Sequence, residues 1–350
     1  MNKFFTYKNF TFIFSLIFLK FFLIYLVIYF NFGQGIFLKN GDAETYHLYA
    51  TGYLYDRVAT NFWFWFLKEL NSLGIYNREI IIYCILFINT IILPIVYTKI
   101  VFEYNFIKNH LYYFLSIFLL FFFPSILYHS FDIFRDVVML FVFFISLYLV
   151  KKNNCQLNIN LIPVLFFGLW LFWFRDYLGF SFLLAYFASM YVKIYKSLFY
   201  TKLFVYLVLL FIFNYLGLFD PLIEYRNWFV ENDANTNLKI DFSNKSMFFL
   251  NFLHSSFIQL FGFYFINVSS FILFFLESVP FIICLIYIIK NRSIANEFLN
   301  FCFIFFIFYT SIWLISNDNF GTAIRLRWFS YFPIYISALI LYQIKNGSKK

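Results

Sequence analysis

Long apolar runs broken by short polar stretches set the pattern of this chain. Runs near 10–31, 79–101, 111–129, 136–150, 159–174, 177–194, 199–218, 270–289, 297–316 and 328–344 approach the ~20 residues that carry a helix across a bilayer. They predict an all-α, polytopic transmembrane bundle of about ten spans, forming a single integral membrane domain over 1–350. With Lys3 and Lys8 on the cytoplasmic side, the breaks at 102–110, 151–158, 195–198 and 290–296 fall on that side too. Each of them carries Lys or Arg, as short cytoplasmic loops do. The basic stretch KNGSKK then ends inside, so both termini are expected in the cytoplasm.

Two outer segments are long, 32–78 and 219–268. The first holds Gly41-Asp42-Ala43-Glu44-Thr45-Tyr46-His47, then NFWFWFLKEL, which reads as an interfacial helix with Trp63 and Trp65 at headgroup depth. The second holds DPLIEYRNWFVEND, then an apolar stretch at 246–268 interrupted by Asn251, His254, Ser255, Ser256 and Gln259. That stretch is expected to lie in the interface or re-enter from the outer face, not to cross.

Composition agrees with a membrane chain: 63% of its 350 residues are hydrophobic and 12% are charged, too few charges for one soluble core. The 61 phenylalanines, beside abundant Ile, Asn and Lys, reflect an AT-rich gene, so no function is read from them. A net charge of +9 would suggest nucleic acid in a soluble chain; here inner lysines account for most of it, and no nucleic-acid partner is expected. The four cysteines lack metal or disulfide spacing and read as structural thiols, so neither metal nor cofactor is expected. No Gly-rich phosphate loop, HExxH or GxSxG occurs, which argues against ATP-driven or hydrolytic chemistry.

Charge type changes the picture more than charge sum. Arg57, Arg78, Arg135, Arg175, Arg226, Arg325 and Arg327, seven of eight arginines, fall in outer segments, while most lysines fall inside. The topology rule explains the lysines and opposes outer arginines. Guanidinium forks suit phosphate and carboxylate, so the outer face reads as a site for a phosphate-bearing substrate.

Three constellations carry that reading. In GDAETYH, Asp42 or Glu44 could act as general base toward a sugar hydroxyl, with His47 three residues on; a capped interfacial helix would need the same residues. Phe134-Arg135-Asp136 and Phe174-Arg175-Asp176 each open an inward-running helix, where free N–H groups and the helix dipole favour an anion; such Arg–Asp pairs also serve as helix ties. Asp132 and His129 lie close to the first triplet as supporting groups. In Asn317 to Arg327, an extended stretch would turn Arg325 and Arg327 to one side as a diphosphate clamp, although membrane-edge arginines also act as anchors. Arg226 beside Glu224, and His254, are weaker candidates.

These residues and the outer arginines resemble the bacterial O-antigen and capsule repeat-unit polymerases of the Wzy type. The acidic residue in the first outer loop is also similar to membrane glycosyltransferases of the GT-C type. The resemblance implies a multi-pass protein of the bacterial inner membrane that transfers a growing glycan from undecaprenyl diphosphate to a lipid-linked repeat unit, alongside a chain-length regulator protein. It implies Asp42 or Glu44 as catalytic base and Arg135, Arg175, Arg325 and Arg327 on the diphosphate. Asp136, Asp176, His47, Arg226 and His254 would support them. The rivals are a GT-C transferase using a lipid-monophosphate donor and a repeat-unit flippase, which would need charged groups through the middle of the bundle.

Overall fold

The computed structural model describes residues 7–30, 41–54, 61–101, 120, 123–156, 161–195, 198–231 and 238–347. Most of the span expected at 111–129 lies outside them, with loop 102–110, Arg57, Lys3, Lys108, His110, Lys196, Lys349 and Lys350. Among the described residues every regular element is a helix. They are α1 (Tyr7–Tyr29), α2 (Gly41–Ala50), α3 (Phe62–Ser72), α4 (Arg78–Val101), α5 (Pro124–His129), α6 (Arg135–Asn153) and α7 (Leu161–Phe174). There follow α8 (Asp176–Tyr191), α9 (Phe199–Tyr215), α10 (Asp220–Glu231), α11 (Phe248–Ser255), α12 (Val268–Ile294), α13 (Glu297–Ser316) and α14 (Phe320–Gly347).

Three of these, α4, α12 and α13, are long and apolar enough to cross a membrane. A fourth arises if α9 and Asp220–Trp228, bent by 69° at their junction, form one broken span. That is fewer than the ten runs suggest. Part of the difference is length: α7 has 14 residues, roughly 21 Å at 1.5 Å per residue, against a hydrocarbon core of about 30 Å, while most of the run at 111–129 lies outside the described residues. Large apolar side chains such as Phe166, Trp173, Phe204, Phe275 and Ile283 face outward from these helices, as a lipid-facing surface requires.

The chain forms two compact units. The first comprises Met1–Asn153, Asn158–Gly179 and Asn346–Lys350. Its centre is α6, which packs along α7 and along the second half of α4, burying Val137, Leu140, Phe143, Phe144 and Leu147. In α2 the spacing of Ala43, Tyr46 and Tyr49–Ala50 makes one apolar face. Tyr46 and Tyr49 pack edge-on against Phe64 of α3, while Asp42 and Glu44 are exposed. A single π turn, Ile88–Ile92, interrupts α4 and turns Asn89 inward, where Lys20 of α1 donates to its Oδ1 at 2.9 Å.

The second unit comprises Asn154–Leu157 and Phe180–Lys345, with α13 and most of α14 buried in it. In α13, 78% of the apolar window is enclosed, against 22% in α12, so α12 presents most of its surface outward. Asn296 caps α13 by accepting from Leu299 N at 3.0 Å. After α11 and the π turn Ser256–Leu260 the chain leaves the helix at Gly262, whose φ of +79° suits glycine. The helical run 248–260 is thus about 20 Å long, short of a crossing.

Candidate functional site

In the first unit, polar residues gather where α6 begins. Arg78 opens α4 behind Asn77, which accepts from Glu79 N at 2.9 Å and Ile80 N at 3.2 Å. Its guanidinium forks onto Asp132, with Nε 3.1 Å from Oδ1 and Nη2 2.8 Å from Oδ2. The remaining Nη1 reaches Glu44 Oε2 of α2 at 2.7 Å. Asp132 is buried and also accepts from Ile133 N at 2.8 Å, so the turn itself holds the carboxylate still. The Glu44 side chain is half exposed. Beside this pair His47 Nδ1 and Tyr76 Oη lie 2.9 Å apart, and burial pushes the Tyr76 phenol up to about 12. Arg78 opposes that shift, while Asp132 and Glu44 reinforce it. Asp42 lies exposed in the first turn of α2.

The two Phe-Arg-Asp triplets, 40 residues apart in sequence, meet and exchange partners. Arg175 Nη2 of the second lies 3.8 Å from Asp136 Oδ1 of the first, both buried. In return Arg135 Nη1 donates to Phe174 O at 3.2 Å, the last carbonyl of α7. Arg135 and Asp136 are the first residues of α6, and Asp176 is the exposed first residue of α8, where its charge suits the helix dipole. The Arg135 side chain is partly exposed, and its buried Nε makes no hydrogen bond. Arg175 also stacks over the Tyr177 ring at 5.6 Å. His129, buried beside Phe134, donates from Nδ1 to Ser125 O at 2.7 Å.

The second unit engages its arginines differently. The stretch expected to be extended around Arg325 and Arg327 is the start of α14, because Asn319 caps it by accepting from Thr322 N at 2.8 Å. On a helix residues two apart diverge by about 200°, so the two guanidinium groups cannot form a parallel clamp. Arg325 is partly exposed and its Nη2 lies 3.3 Å from Thr322 Oγ1. Arg327 is buried; its Nε donates to Gln259 O and its Nη2 to Ile258 O at 3.1 Å, carbonyls of the π turn after α11. Arg226, a weaker candidate in the polar outer segment beside Glu224, is 1% accessible. It donates to Ile315 O at 3.0 Å and Asn317 O at 2.8 Å, closing the C-terminus of α13, and pairs with Asp318. His254 lies exposed on α11.

Trp63 also departs from expectation. It is buried, with Nε1 donating to Ile133 O at 2.9 Å, while Trp65 remains half exposed. Sequence reasoning grouped Glu44 with His47 and the two triplets with each other. It missed Arg78 and Tyr76 as the groups those side chains meet. A cation at the first position of a capped helix opposes the dipole, and that local conflict in Asn77-Arg78-Glu79 was the available signal.

Comparison with protein-family models, with curated proteins and with solved structures finds no match to this chain. The class defined by the fold is therefore the coarse one: a helical protein with several helices apolar enough for a lipid bilayer.

Proposed function

We propose that this chain is a multi-pass protein of the bacterial inner membrane that polymerises lipid-linked oligosaccharide repeat units at the outer face of that membrane. The observation that carries the reading is the half-exposed Glu44 carboxylate on Arg78, whose anchor Asp132 lies just ahead of the α6 start, where Arg135 and the Arg175–Asp136 pair lie. Glu44 removes the proton of the acceptor hydroxyl. The freed oxygen bonds to the anomeric carbon of the donor sugar, and the bond from that carbon to the diphosphate breaks. Arg135, at the α6 N-terminus, meets the negative charge left on undecaprenyl diphosphate. Arg175, held against Asp136, sets where Arg135 and the α7–α8 turn lie. Arg226 and Arg327 are buried against carbonyls and are assigned no diphosphate contact in this reading, whereas Arg325 is partly exposed.

The test is reconstitution in lipid nanodiscs with lipid-linked oligosaccharide extracted from a strain lacking the gene. The expected product is a ladder of repeat units, reduced at least about tenfold in yield by Arg135→Lys, which keeps charge but loses the fork. Addition of a single sugar from a lipid-monophosphate donor would favour the GT-C reading instead. A deletion strain with no repeat unit on its surface anchor would sink the polymerase reading.

A further inference from the structure

We propose that Arg78 is a positioning residue: anchored by Asp132, it aims the Glu44 carboxylate and so selects Glu44 over Asp42 as the proton acceptor. This rests on the reading of that site as a glycosyl-transfer centre. The guanidinium has three nitrogens, and the buried Asp132 takes two of them, along one edge, at 2.8 and 3.1 Å. Asp132 cannot swing, because Ile133 N holds its Oδ1 and Trp63 Nε1 holds the Ile133 carbonyl. A second tie on the same turn comes from α4 itself, where Asn89 Nδ2 donates to Ser130 Oγ at 2.9 Å. The third nitrogen, Nη1, is thereby fixed in direction, and it donates to Oε2 of Glu44 at 2.7 Å.

An exposed ion pair alone would stabilise little. A fork fixed on a buried carboxylate differs, because the entropy of the long arginine side chain is already lost before Glu44 arrives. Two carboxylates on one guanidinium leave the group of three with a net charge of −1 while the orientation of Glu44 is set. Asp42, two residues earlier on α2, points about 200° away and cannot reach the same edge when Glu44 holds it.

Two readouts test this, one of them independent of turnover. Labelling of Glu44 in nanodiscs with a water-soluble carbodiimide and an amine, read by mass spectrometry, should rise about two- to fivefold in Arg78→Met while Asp42 is unchanged. Equal Glu44 labelling in wild type and variant overturns the proposal whether or not the protein polymerises anything. In the ladder assay Glu44→Gln should lower kcat by about a hundredfold or more. Arg78→Met should lower kcat with KM nearly constant, Arg78→Lys should recover part of it, and Glu44→Gln/Arg78→Met should match Glu44→Gln alone. Losses that multiply in the double variant, or a fall in thermal stability with kcat intact, would overturn the positioning role. If Arg78→Met does not fold, Asp132→Asn carries the same expectations through the anchor. A wild-type protein that makes no ladder, with labelling as expected, would end the polymerase reading and leave the Arg78–Glu44 coupling standing.

Discussion

Arg175 faces Asp136 with 3.8 Å between Nη2 and Oδ1, one residue from each copy of the same triplet. Arg135 and Phe174 complete the exchange through a side chain and a carbonyl. The repeat is therefore a structural reciprocity: each arginine crosses to the other triplet. It joins the start of α6 to the α7–α8 turn and holds one guanidinium of the two partly open.

Removing one partner of this buried pair should leave the other charged in a low-dielectric setting. Arg175→Met or Asp136→Asn is expected to lower unfolding free energy in detergent by on the order of 3–5 kcal/mol, while Arg175→Met/Asp136→Leu recovers most of it. Denaturant unfolding of the three proteins measures this. Single variants within 1 kcal/mol of wild type, roughly the size of an exposed pair, would mean that the charges are compensated elsewhere.

Gly179 fixes the same turn from the other side. A Cβ there would sit 2.3 Å from Phe172 N and 2.4 Å from its Cα, both backbone atoms that cannot move aside without parting α7 from α8. Gly179→Ala should cost about 1–3 kcal/mol, the usual penalty for an overpacked contact, and Gly179→Val more. A Gly179→Ala protein with an unchanged unfolding midpoint would show that the two helices separate freely.

How much of this could be read from the residues divides by range. Runs such as 79–101, 270–289 and 297–316 place α4, α12 and α13 closely, because apolar length and nearby Asn caps are local signals. The Arg325–Arg327 stretch was misread for a local reason as well: Asn317, Asp318, Asn319 and Gly321 suggest a turn, yet Asn319 acts as a cap and α14 starts there. Arg226 was misread for a tertiary reason. Its neighbours in sequence are polar, but its partners, Ile315, Asn317 and Asp318, lie about 90 residues away. Separations of 34 residues between Glu44 and Arg78 and 54 between Arg78 and Asp132 hid that link too, since pattern alone placed them in separate segments.

The two arginines of α14 should separate in experiment. Arg327→Met leaves the carbonyls of Gln259 and Ile258 without donors inside the second unit, which should destabilise by on the order of 3 kcal/mol. Arg327→Lys reaches fewer carbonyls and should fall between. Arg325→Ala, from a partly exposed site, should change stability by about 1 kcal/mol or less. Thermal unfolding in detergent ranks the three, and an Arg325 effect as large as that of Arg327 would contradict the division of roles.

The phenol of Tyr76 gives the candidate site a pH signature. Its ordinary value is 10.0, and burial beside His47, with Asp132 and Glu44 adding negative charge, raises it to about 12 in the folded protein. Between those values the unfolded chain has released the proton while the folded chain retains it, so unfolding releases a proton and ΔG of unfolding falls as pH rises. The contribution is fully present below pH 10 and is lost as pH climbs toward 12. Tyr76→Phe removes this titration, so the variant should lose less stability than wild type between pH 10 and 12, whatever other tyrosines contribute to both. The difference is modest, because Tyr76 is only partly enclosed and solvent screens it. Parallel unfolding curves for the two proteins across that interval would mean that Tyr76 titrates as it does in water, and that the pocket formed with His47 and Arg78 is open to solvent.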